Sequence, residues 1–190
     1  MTLLGRLLRD RRAGDAHLAW HLPNLTGPEA LTLTSRAFAE GESLPLEQCE
    51  KRIGGKNVSP HLTWTAPPAG TAQLLLVVED IDVPLAKPAV HCVALVDPAV
   101  EELAPGALNV RRPTAGVTPL RGTVGRGYRG PGPIKGHGPH RYVFQLFALS
   151  APVGGAPDAE APRRERPRAL LPGIDAEVLG RGRLNGVYER

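Results

Sequence analysis

The sequence predicts an all-β fold in a single domain, on three observations. Glycine and proline are abundant, 22 and 20 among 190 residues, which favours short elements joined by turns over long helices. Residues 73–78, 90–96 and 141–149 are apolar runs of strand length, bounded by Pro, Gly or charged side chains. Residues 31–35, Leu-Thr-Leu-Thr-Ser, alternate apolar and polar with the two-residue period of a strand. A hydrophobic content of 42% over this length allows one substantial core.

Residues 1–20 read as a basic leader carrying a short helix, and 21–190 as the domain. Leu3, Leu4, Leu7 and Leu8 fall on one helical face beside Arg6, Arg9, Arg11 and Arg12. The arginines interrupt any apolar core of a secretion signal, and no window approaches the roughly 18 apolar residues of a membrane span. A cytoplasmic protein is expected. The leucine face predicts packing against the domain or a partner subunit, with contact to an anionic membrane as the alternative.

An early strand is expected at 31–35. Residues 54–70 read as a loop, a short strand around 62–65 and a turn, with Trp64 in the core. The run at 73–78 predicts a buried central strand that delivers Asp80 and Asp82 at its end. The run at 90–96 carries His91 at its start. Residues 99–139, dominated by Gly, Pro and Arg, predict a long connection that is either disordered or shapes a site, with 127–133 suggesting a shaped loop at its end. In 141–149, Tyr142, Phe144, Leu146 and Ala148 share one face, and Val143 and Phe147 the other. Residues 151–168 read as a surface excursion or linker with no core pattern, followed further on by a short helix at 176–179 and a short strand at 184–188.

The net charge is +4, yet aromatic residues make up only 4%. Arginine clusters without a groove-reading element or a stacking platform argue against nucleic acid. Two cysteines without CxxC spacing predict no disulfide and no zinc clip. No GxSxG and no GxxxxGK[ST] occur, so neither a nucleophile elbow nor a phosphate-cradling loop is predicted. His91 and Cys92 are adjacent, and regular strand geometry would turn them to opposite faces.

Pairing of the three strong strands would bring Asp80, Asp82, His91, His140 and Tyr142 to one rim. Imidazole and phenol donors there suit a phosphate or carboxylate, with the aspartates orienting the histidines. An aspartate beside a histidine favours the imidazolium, so anion binding should strengthen at mildly acid pH. The alternative is that each group is separately satisfied at a turn. A metal site is a lower-ranked reading: His91, His137, His140, Asp80 and Asp82 are suitable ligand types at spacings that match no short motif.

Several segments in one order carry a resemblance. Lys56-Asn57-Val58-Ser59-Pro60 with Leu62-Thr63-Trp64, Asp80-Ile81-Asp82-Val83-Pro84, the His91 strand, and Gly136-His137-Gly138-Pro139-His140-Arg141-Tyr142-Val143-Phe144 resemble the phosphatidylethanolamine-binding protein family. They look most like its bacterial, Raf kinase inhibitor-like branch, and Leu184-Asn185-Gly186-Val187-Tyr188 is similar to that branch's ending. The resemblance implies an antiparallel Greek-key β-sandwich with a few short helices and a small pocket for phosphate-like anions. It implies ligand-binding roles for Asp80, Asp82, His91, His140 and Tyr142, and places Pro133 in the loop lining the pocket. It implies a binding protein without catalysis or cofactor, commonly dimeric. Alternatives are an inhibitor of a protease or kinase acting through its surface, and a weak metal-assisted hydrolase using the same Asp/His cluster. Ile81 stands where the family's aspartate loop has proline, which removes a fixed φ and predicts a looser loop. Cys92 and the Arg/Pro-rich 151–172 stretch are further departures.

Overall fold

A computed structural model describes residues 2–112, 114–156 and 160–190 of the chain. It is mostly β, with two antiparallel sheets and a few short helices. The larger sheet has five strands in the order β6-β4-β3-β7-β8: β3 Gln73–Asp80, β4 Ala89–Val96, β6 Val117–Pro119, β7 His140–Leu149 and β8 Val178–Tyr188. The smaller orders β1-β2-β5: β1 Leu33–Thr34, β2 Leu62–Trp64 and β5 Glu102–Leu103. The three apolar runs are the three central strands of the larger sheet, and every residue of β3 is buried.

That sheet is covered on both faces, which is why its centre reads as continuous apolar sequence. Leu74, Leu76, Val78, Phe144 and Leu146 pack against Leu33, Leu62, Trp64 and Leu103 of the small sheet. Leu75, Val77, Val143 and Phe147 face the other way, onto Leu18, Trp20, Leu25, Leu170, Leu171 and Ile174. Burying one leucine of this kind contributes about 2 kcal/mol.

Several expectations need correction. The stretch at 151–168 is no mere solvated excursion: Val153 and Pro167 are buried, and it contains the short helix α2 Ala161–Arg164 and the start of α3 Pro167–Leu170. No helix forms at 176–179. β8 begins at Val178 and runs eleven residues along β7, far beyond the short strand expected at 184–188. Its glycines hid it, and the covering chain requires them: a Cβ on Gly182 would sit 2.2 Å from the Leu31 carbonyl. Backbone bonds from residues 28–44 then cover the outer edge of β8, including Leu31 N–H to Arg181 O and Leu44 N–H to Val187 O.

The leader does carry a short helix, α1 Leu3–Leu7, capped by the Thr2 side chain. It docks through Thr2, bonded to the Lys135 carbonyl, and through buried Gly5. The expected packing of its leucine face against the domain does not occur, since Leu3, Leu4 and Leu7 stay exposed. The Ile81 loop is tied rather than loosened. Its N–H donates to the Arg141 carbonyl, a bond proline cannot make, and its side chain joins the core. Among the described residues no helix is long and apolar enough to cross a membrane.

A buried ion pair fastens the second face. Glu79, wholly buried, accepts from the Ala19 N–H and from Gln145 Nε2, and pairs with Arg168 at 2.6 Å. Arg168 also donates to the His17 and Pro88 carbonyls, so one arginine of the apparently solvated stretch clamps the leader to the sheet. Arg168→Met should strand the Glu79 charge and lower unfolding free energy by about 3 kcal/mol, with urea denaturation as the measurement. The Glu79→Gln/Arg168→Met double variant should recover most of that loss; a double variant no better than the single would contradict a charge-pair origin.

Candidate functional site

The β3/β7 register sets Asp80 directly opposite Tyr142, and His140 begins β7 beside them. These side chains, with His91 of β4 and Pro133, line a cleft of about 170 Å3. Asp80, His91, Pro133, His140 and Tyr142 therefore converge as the sequence suggested. Asp82 does not join them. It is buried and saturated by arginines: Arg141 grips both its oxygens at 2.8 Å and adds its backbone N–H, while Arg12 of the leader pairs with Oδ1 at 2.8 Å. Burial alone would raise the Asp82 carboxyl, but these hydrogen bonds and charges win and hold it at about 2.

His91 reaches the cleft through an irregularity in its strand. The β3/β4 register passes from Val78↔Cys92 to Glu79↔Val90 and skips His91, so β4 carries one extra residue there, a β-bulge that re-aims the side chain. The His91 ring meets Tyr142 edge-on at 5.2 Å between centroids. Because of the bulge, Cys92 packs in the same core layer as Tyr142, so the opposite facing expected of His91 and Cys92 fails. Burial raises the Cys92 thiol to about 12, which keeps it protonated and inert at neutral pH.

Behind the cleft runs a chain of three hydrogen bonds. Asp80 Oδ2 meets His140 Nδ1 at 2.8 Å, His140 Nε2 meets His137 Nδ1 at 2.8 Å, and His137 Nε2 meets the Arg11 carbonyl at 3.1 Å. Both His140 nitrogens are spent in it, so His140 presents its ring to the cleft and leaves hydrogen bonding there to others. Asp80 orients a histidine as expected, and its second oxygen accepts the Asp82 N–H at 2.9 Å.

Tyr142 and His91 keep that capacity. The Tyr142 hydroxyl is buried with no partner at hydrogen-bond distance, and burial, followed by the charge and the nearby carboxylate of Asp80, pushes its phenol well above its ordinary value, so it remains a donor. His91 Nδ1 donates to the Arg129 carbonyl at 2.6 Å, which leaves Nε2 for the cleft, an acceptor when neutral and a donor when protonated.

Three wall residues escaped the sequence reading. Glu50, Arg52 and Arg129 line the cleft, with Glu50 paired to Arg129 at 2.7 Å and to Arg52. Burial would raise the Glu50 carboxyl, but the two guanidinium groups hold it below its usual range. In this part of the wall two guanidinium groups stand against one carboxylate. Only Arg129 lay in a segment flagged as shaped, and Glu50 and Arg52 sit around a 3-10 turn with no periodic signal. Among the described residues, no three His, Cys, Asp or Glu side chains group so as to hold a metal ion.

Known proteins resemble this chain. The family model "Phosphatidylethanolamine-binding protein" matches residues 34–189. The UPF0098 protein of Aquifex aeolicus is 32% identical over 166 residues, covering 86% of this chain and 91% of its own. The putative lipoprotein LppC of Mycobacterium tuberculosis is 33% identical over 164 residues, covering 85% of this chain and 73% of its own. Among solved structures, Escherichia coli YbcL, described as a new member of the mammalian PEBP family, superposes with a TM-score of 0.71 at 25% identity, covering 84% of this chain and 98% of its own. The Chlamydia trachomatis PEBP homologue CT736 does so at 0.69 and 27%, covering 85% and 99%.

The Asp82 hub yields a pH prediction. A carboxyl at about 2 when folded, against an ordinary 3.8, contributes stability that is complete above about pH 4 and lost as pH falls through about 2. Asp82→Asn should cost about 2 kcal/mol at neutral pH and flatten the stability profile between those limits; an unchanged acid limb would assign the acid lability elsewhere. With fold, family model and relatives in agreement, this chain belongs to the phosphatidylethanolamine-binding protein family.

Proposed function

We propose that this protein binds a small anion, a phosphate or phosphorylated head group, in the cleft between β4, β7 and the 129–133 loop, and that it acts as a binding protein rather than a catalyst. The observation that carries this reading is the unpartnered, buried Tyr142 hydroxyl, set beside His91 and the guanidinium groups of Arg52 and Arg129. A buried hydroxyl without a partner costs about 1–3 kcal/mol, and a phosphoryl oxygen in the cleft relieves that cost. Arg129 supplies charge at the mouth, and His91 adds a second donor when it takes up a proton.

Nothing in the cleft supports a hydrolase. Cys92 is protonated and buried, and the Asp80–His140–His137 chain ends on a backbone carbonyl instead of a nucleophile. A protein-inhibitor role has no feature of its own here.

Sulfate tests the reading, because its charge does not change over the pH range in which imidazoles titrate. Calorimetric titration should show binding several-fold tighter near pH 6 than near pH 8. His91→Ala should weaken binding roughly tenfold and abolish the pH dependence, and Tyr142→Phe should weaken it without abolishing that dependence. Binding in the His91→Ala protein that keeps the full pH dependence would overturn the reading.

A further inference from the structure

A second cleft of about 310 Å3 lies on the other side of the 126–130 segment. It has nearly twice the volume of the first, and its lining is unusual. Lys51, Lys56, Arg111 and Arg126 all border it, and no carboxylate does. Among the described residues, Lys51 and Arg111 have no carboxylate within ion-pair distance, and Lys56 has only a 4.0 Å approach to exposed Glu47. Arg126 donates one N–H to the Arg163 carbonyl at 2.8 Å and keeps the rest.

The walls are fixed by bonds between segments distant in sequence. Ser59 O accepts the Gly106 N–H at 2.9 Å, Ser59 Oγ accepts the Leu108 N–H at 3.3 Å, and Leu108 O accepts the Tyr128 N–H at 3.2 Å. Asn57, held at a φ of 58° that non-glycine residues seldom adopt, spends its amide on the Tyr128 carbonyl and the Gly130 N–H. Gly127 allows the closest approach: with φ at +73°, a Cβ there would sit 2.7 Å from the Leu108 carbonyl. The Ser59 hydroxyl, almost wholly buried on the cleft floor, accepts a bond and still has its own proton to donate.

We propose that this cleft is a second anion-binding site, for a small molecule carrying two or more phosphoryl groups. Four cations around one concavity repel each other when it is empty, and a singly charged anion leaves most of that repulsion in place. A diphosphate or larger polyphosphate neutralises it, matches the volume and meets the Ser59 hydroxyl on the floor. The cations are exposed, so the attraction is screened by salt. The site stands without the first cleft: Arg126 and Lys51 border this one, while Arg129 and Arg52 border the other.

Inorganic pyrophosphate titrated calorimetrically into the full chain at low salt is the test. The His91→Ala protein should retain pyrophosphate binding at this site, and Lys56→Ala/Arg111→Ala should weaken it by at least roughly tenfold. Both substituted side chains are exposed, and thermal unfolding of the variant confirms that it folds. Lys87→Ala/Lys135→Ala, which removes the same charge elsewhere on the surface, should bind as the unsubstituted protein does. Equal weakening by the two double variants would show a general field effect and overturn the site. So would unweakened binding in Lys56→Ala/Arg111→Ala, or no uptake of pyrophosphate by the unsubstituted protein.

Discussion

Three acidic side chains within four residues at the end of β3, Glu79, Asp80 and Asp82, are buried, and each fastens a different part of the chain. Strand alternation sends Glu79 to one face of the large sheet, where Arg168 and the Ala19 N–H meet it, and Asp80 to the other, where His140 does. Asp82, just past the strand, takes Arg141 and Arg12. A buried carboxylate without partners costs several kcal/mol, so each of these pairs fixes where its partner segment must lie. The leader, α3 and the start of β7 are all positioned from one strand end.

The binding cleft follows from that arrangement. With both its nitrogens spent on Asp80 and His137, His140 is a support for the site rather than a hand in it. Recognition passes to groups whose hydrogen-bonding capacity is unspent: the Tyr142 hydroxyl, the exposed nitrogen of His91, and the guanidinium groups of Arg52 and Arg129. The division resembles metal and enzyme sites, where an outer layer of hydrogen bonds holds the contacting groups in place. The bulge at His91 belongs to the same design, since a regular strand would have sent Val90 and Cys92 to one face and His91 to the other.

Much of this was legible in the sequence, and the failures have common causes. β3, β4 and β7 were plain because strands buried on both faces must be continuously apolar. β8 was obscured because Gly180 lies against Pro68 and Gly182 under the Leu31 backbone, where a side chain would clash, and Arg181 and Arg183 beside them resemble a solvated stretch. Residues 151–168 misled for a similar reason: Arg168, their anchor, is itself charged and finds Glu79 only in three dimensions. The strand ends gave Asp80, His91, His140 and Tyr142. They could not show that Asp82 is saturated by two arginines, one of them from the leader, nor that Glu50 and Arg52 close the cleft from a distant turn. Partner choice among charges is a property of the folded chain, and composition does not encode it.

The most direct test of the division of roles is nitrogen-15 spectroscopy of the histidine rings, with and without sulfate. At neutral pH without sulfate, both nitrogens of His140 should appear as hydrogen-bonded, and His91 should show a protonated Nδ1 with an open Nε2. Added sulfate should then move the His91 Nε2 resonance and leave those of His140 in place. Movement at His140 with His91 unaffected would contradict the assignment of His140 as support and His91 as the group that meets the anion.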